Sequence, residues 1–365
     1  MTNRQRLVNC VLGKEIDRAP FFFYLGPWPE TSARWMTEGA KDENAWLNGF
    51  GFDPGIRQLT GIVNHYFDPW FDYKVIEETE EALTFCDGAG IIQQIIKGQS
   101  NIPGILENPV KCRDDWERIK KDRLNPFSPS RFPKEIEEIA GKWNKDDIPV
   151  QAGAFPYGLF GTLRDLMGVE NLMVAFYDQP ELIHDMMDFL TGFWLDIYGQ
   201  ICKYFKVDII HIWEDISGKS GSLISPGMIS EFMVPQYKRI KKFADNHNIP
   251  VIALDTDGDV DRIIPVFLEG GINMMMPFEV QAGCDVVKLR EKYPQMAMLG
   301  GIDKMEIAKG KDAALREIER IRPLLSQSGY IPNLDHTIPP EIGYNDYCFF
   351  VEELRKTIYA EGKGV

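Results

Sequence analysis

Asp255-Thr256-Asp257-Gly258-Asp259 puts three carboxylates into five residues, directly after the apolar run 250–254. A run of strand length that stops in an acidic, glycine-bearing turn sets its side chains at a strand's C-terminal end, where α/β proteins gather reactive groups. Carboxylates there hold a cation or move a proton. The competing reading is a solvated turn that caps the following helix. The pattern continues with a second apolar run, 263–268, closed by Gly270-Gly271, and a third, 272–276, closed by Pro277-Phe278-Glu279. Strand, acidic turn, helix, strand is a βαβ unit.

His336 lies in Leu334-Asp335-His336-Thr337-Ile338-Pro339-Pro340, just after the last expected strand. A lone loop histidine is ordinarily solvated or hydrogen-bonded. In one mouth with Asp255 and Asp257 it becomes a candidate ligand. Two carboxylates and an imidazole suit a zinc-like cation with an open position, and Glu279 is a candidate fourth ligand. Glu214-Asp215 ends the run 207–213. That pair either donates a proton in catalysis or forms salt bridges to neighbouring basic residues. His65, Phe155, Tyr157 and Trp213 are the candidate substrate-binding residues, with Trp213 either pocket wall or barrel core. His184 and His247 read as helix-surface residues, and His211, inside a strand, as structural.

These residues meet only if the strand ends do. Strands expected at 21–25, 149–154, 207–213, 250–254, 272–276, 296–299 and 329–333 are separated by helical segments. That succession predicts an α/β chain folded as a single (β/α)8 TIM barrel domain over 1–365. Residues 51–104 break the pattern. Aromatics crowd 64–71, and strands expected at 74–85 and 90–97 flank Cys86-Asp87-Gly88-Ala89, an Asp-Gly hairpin signal. This stretch is expected to be an N-terminal hairpin insertion over the barrel mouth, its aromatics lining a pocket or forming a small core of their own. A helix is expected at 108–121, with Asn108 as cap and Pro109 in the first helical position.

Composition narrows the function class. The net charge is −15 and the pI about 4.9. Such a chain is a poor ligand for nucleic-acid phosphates or for an anionic membrane surface. No apolar run approaches the ~20 residues of a membrane span. The six cysteines are scattered without CxxC spacing, as expected of reduced thiols in a cytoplasmic protein.

Several stretches together resemble the uroporphyrinogen decarboxylase superfamily, over nearly the whole chain. They are RLVNCVLGKEIDRAP at 6–20, GTLRDLMGVEN at 161–171, residues 208–226 with Glu214-Asp215 and Ile224-Ser225-Pro226, Gly300-Gly301-Ile302-Asp303, and 333–340. The resemblance implies a (β/α)8 barrel. The haem-pathway decarboxylase carries an Arg-Gln-Ala-Gly-Arg-Tyr segment after its first strand to hold substrate carboxylates. Here that place reads Leu25-Gly26-Pro27-Trp28-Pro29-Glu30-Thr31, and an acidic mouth without arginines suits an octacarboxylate poorly. The chain is more similar to the corrinoid-dependent methyltransferase branch. Coenzyme M members of that branch hold zinc with His-x-Cys-Gly and a later cysteine; Asp255-Thr256-Asp257-Gly258 and His336 stand at those places here. Harder ligands make a more Lewis-acidic metal, suited to an ether oxygen. The resemblance thus implies an O-demethylase: zinc in the barrel, a methyl (aryl) ether as donor, and the Co(I) corrinoid of a partner protein as acceptor. Two other readings are a decarboxylase of uroporphyrinogen-like or smaller substrates, with Asp255 or Asp257 as proton donor, and a non-catalytic binding barrel.

Overall fold

In a computed structural model, which describes residues 1–98 and 103–362, the first strand is β1 (Arg57–Gln58). It is followed by β2 (Lys74–Glu78), β3 (Ala82–Cys86), β4 (Ile92–Ile96) and β5 (Gly104–Glu107). Then come β6 (Val150–Ala152), β7 (Ile209–Trp213) and the two-residue strands β8 (Ser217–Gly218) and β9 (Gly221–Ser222). The last four are β10 (Val251–Thr256), β11 (Met274–Pro277), β12 (Ala297–Ile302) and β13 (Tyr330–Leu334). Seven of these form one sheet in the order β1-β6-β7-β10-β11-β12-β13, and every pairing in it is parallel. Helices such as Pro180–Ile201, Val234–Asn246 and Lys311–Leu325 lie between successive strands. The parallel strand–helix alternation of the expected (β/α)8 barrel is present, with seven strands in the sheet among the described residues in place of eight.

The expected first strand differs. Residues 21–25 are not in a strand. The Asn333 side chain takes the place of a partner strand, with Nδ2 donating to Phe22 O and Oδ1 accepting from Tyr24 N. Asp53 pairs with the other side through Phe21 N and O. A side-chain amide supplies the bonds a ladder would have made, so the segment sits between β13 and Asp53 without becoming a strand.

Strand parity sorts the core into two layers. Ile209, Val251, Ala253, Met274, Met276, Ala297, Leu299 and Ile331 form one buried cluster with Phe22. Leu7, Cys10 and Val11 of the N-terminal helix Asn3–Val11 join it and close its base. That helix begins with a capping box between Thr2 and Gln5, which satisfies donors that a helix start otherwise leaves open. The residues between them along the strands, Ile210, Ile212, Ile252, Leu254, Met275 and Met298, belong to the larger cluster shared with the helices. Inward and outward positions therefore alternate along each strand.

The stretch expected to form a hairpin holds more strands than two. It forms a four-stranded antiparallel sheet, β2-β3-β4-β5, and the turn at Thr79 splits the expected strand 74–85 in two. Residues 99–102, within the expected insertion 51–104, lie outside the described residues. The chain leaving β5 is tied to the helix Leu159–Met167 by Asn108 Nδ2 donating to Asp165 O and Val110 N donating to Leu166 O. Asn108 is thereby used up, and the next helix starts later than expected, at Arg113–Arg123 with Cys112 at its cap position.

Candidate metal centre

Three side chains from three different strand ends meet. Asp257 follows β10, Glu279 follows β11 and His336 follows β13; one ligand atom from each lies within 4.8 Å of the others. His336 Nε2 is 3.4 Å from Asp257 Oδ2. Ligand atoms placed tetrahedrally at ~2.1 Å from an ion are about 3.4 Å apart, so small side-chain movements complete the set. The donors, two carboxylate oxygens and one imidazole nitrogen, fit a zinc-like divalent ion that keeps a position open.

Neighbours hold two of the three donors. Thr337 Oγ1 lies 2.8 Å from His336 Nδ1, which leaves Nε2 for the cluster and fixes the ring. Gly258 N donates to Glu279 Oε2 at 3.0 Å. Lys304 Nζ stands 3.9 Å from Glu279 Oε1 and 3.2 Å from Asp335 Oδ1. Asp335 is fully buried and also accepts from Val280 N and Lys304 N. The hydrogen bond and charge of Asp257 raise the His336 imidazole above its usual range. Burial and the Asp257 charge raise the Glu279 carboxyl. The Cys284 thiol is no rival ligand. Cys284 Sγ donates to Gly258 O at 3.3 Å, and burial pushes that thiol up to about 11.

Asp255, expected in the ligand set, is not in this cluster. It shares the inward parity of Val251 and Ala253, and its Oδ2 lies 3.5 Å from Nε2 of the buried His211 on the adjacent strand. Asp215 is at the mouth in a left-handed conformation, φ +42°, a costly backbone for a non-glycine residue. Arg164 compensates, bonding both its carbonyl and, at 2.5 Å, its carboxylate. Burial raises the Asp215 carboxyl despite Arg164, and Asp257 and Asp255 add to the rise.

Glu214 points the other way. It is fully buried and accepts from Leu159 N, Phe160 N and Gly161 N at the start of the helix Leu159–Met167, and from Tyr237 OH at 2.7 Å. Burial pushes its carboxyl up to about 7. Its role as an acid in the mouth is therefore corrected: it is the buried anchor of a helix N-terminus. The cue was strand parity, since Ile209, His211 and Trp213 point inward and Glu214 falls on the outward set.

The aromatic candidates divide. Phe155 is 66% exposed and packs edge-on against Trp213 at 4.7 Å. Trp213 is buried beneath it, with the Arg164 guanidinium 4.9 Å from its ring. Tyr157 is buried and stacks on His65 at 5.7 Å. His65 is fully buried, with Nδ1 2.7 Å from Val63 O, so its expected place in a substrate pocket is corrected to a core position beside Tyr157 and Tyr198. Sequence reasoning missed Arg164 and Lys304, whose partners Asp215, Glu279 and Asp335 lie far along the chain, and Thr337, the immediate neighbour of His336, whose bond to Nδ1 depends on how the ring is turned.

The family model described as uroporphyrinogen decarboxylase matches residues 90–357. The uroporphyrinogen decarboxylase of Geotalea uraniireducens (strain Rf4) is 21% identical over 274 residues, 72% of this chain and 77% of the relative. That of Sulfurovum sp. (strain NBC37-1) is 21% identical over 292 residues, 76% of this chain and 78% of the relative. Among solved structures, a methyltransferase from Methanosarcina mazei superposes with a TM-score of 0.57 at 16% identity, covering 98% of each chain. That likeness shows the fold.

Proposed function

The chain belongs to the uroporphyrinogen decarboxylase family, and from that premise we propose that it is a methyltransferase that demethylates a methyl aryl ether. The acceptor is the Co(I) corrinoid of a separate carrier protein. The observation that carries this reading is the cluster Asp257, Glu279 and His336 at the strand ends, a hard donor set without a thiolate. Zinc bound there supplies Lewis acidity toward an ether oxygen.

In the proposed reaction the methyl–oxygen bond breaks, the bonding pair stays on oxygen, and the methyl group goes to the corrinoid as a cation equivalent. Asp257, Glu279 and His336 would hold the ion. Thr337 and the Gly258 N–H orient two of these ligands, and Lys304 balances their charge. Asp215, with a raised carboxyl and a backbone fixed by Arg164, protonates the leaving oxygen. Phe155 and Trp213 form the aromatic wall against which an arene packs. The mouth stays open to the carrier protein, and the mobile methyl acceptor is brought by that partner.

The test is anaerobic incubation of zinc-loaded protein with a methoxyarene and a reduced corrinoid protein, followed by the cobalt absorption spectrum. Conversion of Co(I) to methylcobalt, dependent on both zinc and this chain, supports the reading. Its absence with every methoxyarene tried overturns it. Decarboxylation is the second reading, favoured by the names of the similar curated proteins; carbon dioxide release from a porphyrinogen or smaller acid would establish it instead.

A further inference from the structure

Above the apolar layer of the sheet's inner face, the inward positions turn polar. Gln151 on β6, His211 on β7, Asp255 on β10 and Asn333 on β13 continue the parity of the buried residues below them. Most of this layer is internally satisfied. Gln151 and Gln58 donate to Tyr24 OH at 3.0 and 3.2 Å, and Asn333 is taken up by residues 22 and 24. His211 is the exception. It is 2% exposed, stacks on Tyr24 with ring centroids 6.1 Å apart, and has no hydrogen-bond partner on either ring nitrogen. Its Nε2 faces Asp255 Oδ2 at 3.5 Å, and the Asp255 side chain keeps 20% exposure.

An unsatisfied buried imidazole is costly. Aimed at a carboxylate, it is one short rotation from a charge-assisted hydrogen bond that would pin Asp255. Pinned so, Asp255 stays out of the Asp257 cluster and presents its other oxygen as an acceptor beside it, two residues before Asp257 at the end of β10. A group binding there must donate a hydrogen bond. A carboxylate would meet repulsion from Asp255 and Asp257, whereas a hydroxyl is a neutral donor that fits.

We propose that His211 is a positioning residue that holds Asp255 as the acceptor for a hydroxyl group carried by the ether substrate next to its methoxy group. This subsite rests on the methyl-ether reading but is separate from the ligand cluster. The test is isothermal titration of the zinc-loaded chain with 2-methoxyphenol and with 1,2-dimethoxybenzene. A hydrogen bond to a charged group corresponds to a preference of about tenfold or more for the phenol. His211→Leu should reduce that preference to ~3-fold or less, and His211→Gln, which keeps an N–H donor of similar reach, should restore it. Asp255→Ala, at a partly exposed position, should lose the preference as well, which keeps the test valid if His211→Leu folds poorly. Equal affinity for the two ethers, no binding of 2-methoxyphenol, or a preference that survives His211→Leu and Asp255→Ala overturns the proposal. The two readings separate cleanly. Preference without methyl transfer retains the subsite and refutes the methyltransferase; equal transfer from both ethers retains the methyltransferase and refutes the subsite.

Discussion

Replacing Glu214 with alanine removes the acceptor of four donors at once: three backbone N–H groups and the Tyr237 hydroxyl. The site is fully buried, so water does not replace the carboxylate. Loss of a helix N-terminal acceptor costs about 1 kcal/mol, and a stranded buried hydroxyl about 1–3 kcal/mol more. Relief of the buried charge, evident in a carboxyl pushed up to about 7, offsets part of that. The net expectation is a destabilisation of about 1.5–3 kcal/mol. With an unfolding entropy of about 2.1 cal/mol/K per residue, a chain of 365 residues loses roughly 2–4 °C in Tm. Thermal melts by far-UV circular dichroism, at neutral pH and with chelator in all samples, measure this directly. Glu214→Gln, which keeps one acceptor oxygen, should fall between the two. A Glu214→Ala protein that melts within ~1 °C of the parent but has lost methyl transfer would refute the structural assignment and return Glu214 to the chemistry.

The His336 imidazole is raised by Asp257, so protons compete with metal; zinc affinity should fall as pH drops through that raised range, by roughly tenfold per pH unit for the one proton displaced. A zinc titration across pH checks it, and His336→Ala should flatten the profile. The Asp17 carboxyl is held at about 2, below its usual 3.8, chiefly by the hydrogen bond from Arg6. Its contribution is present above the usual value and lost as pH falls through the folded one, so Asp17→Asn should cost about 2 kcal/mol at neutral pH, in a gap that closes in acid; denaturant unfolding at both pH values measures it. A Cβ at Gly158 would lie 1.6 Å from Trp213 O. Gly158→Ala should therefore destabilise by about 3 kcal/mol or more, read as a lowered melting point.

The α/β alternation was legible because strand-length apolar runs ended at glycine, proline or acidic turns. Asp257, Glu279 and His336 were legible for the same reason: each directly follows such a run. The segment 21–25 misled because a uniformly apolar run carries no sign of whether its bonds go to a strand or to a side chain such as Asn333. Glu214 and Asp255 misled differently. Proximity to a strand end was counted while parity was not, and parity turns Glu214 toward Tyr237. Asp255 has the right parity, but its partner His211 lies on the adjacent strand, a contact that depends on sheet order and register. His65 sits in an aromatic-rich stretch whose burial depends on Tyr157 and Tyr198, far away in the sequence.

Where a metal binds decides between the ligand cluster and Asp255. Crystals grown with zinc and measured at the zinc absorption edge give the position without reference to activity. The expected result is one anomalous peak at ~2.0–2.2 Å from His336 Nε2 and from carboxylate oxygens of Asp257 and Glu279, with Asp255 still turned to His211. A peak bound by Asp255 with His336 turned away, or no peak among these residues at saturating zinc, would contradict it.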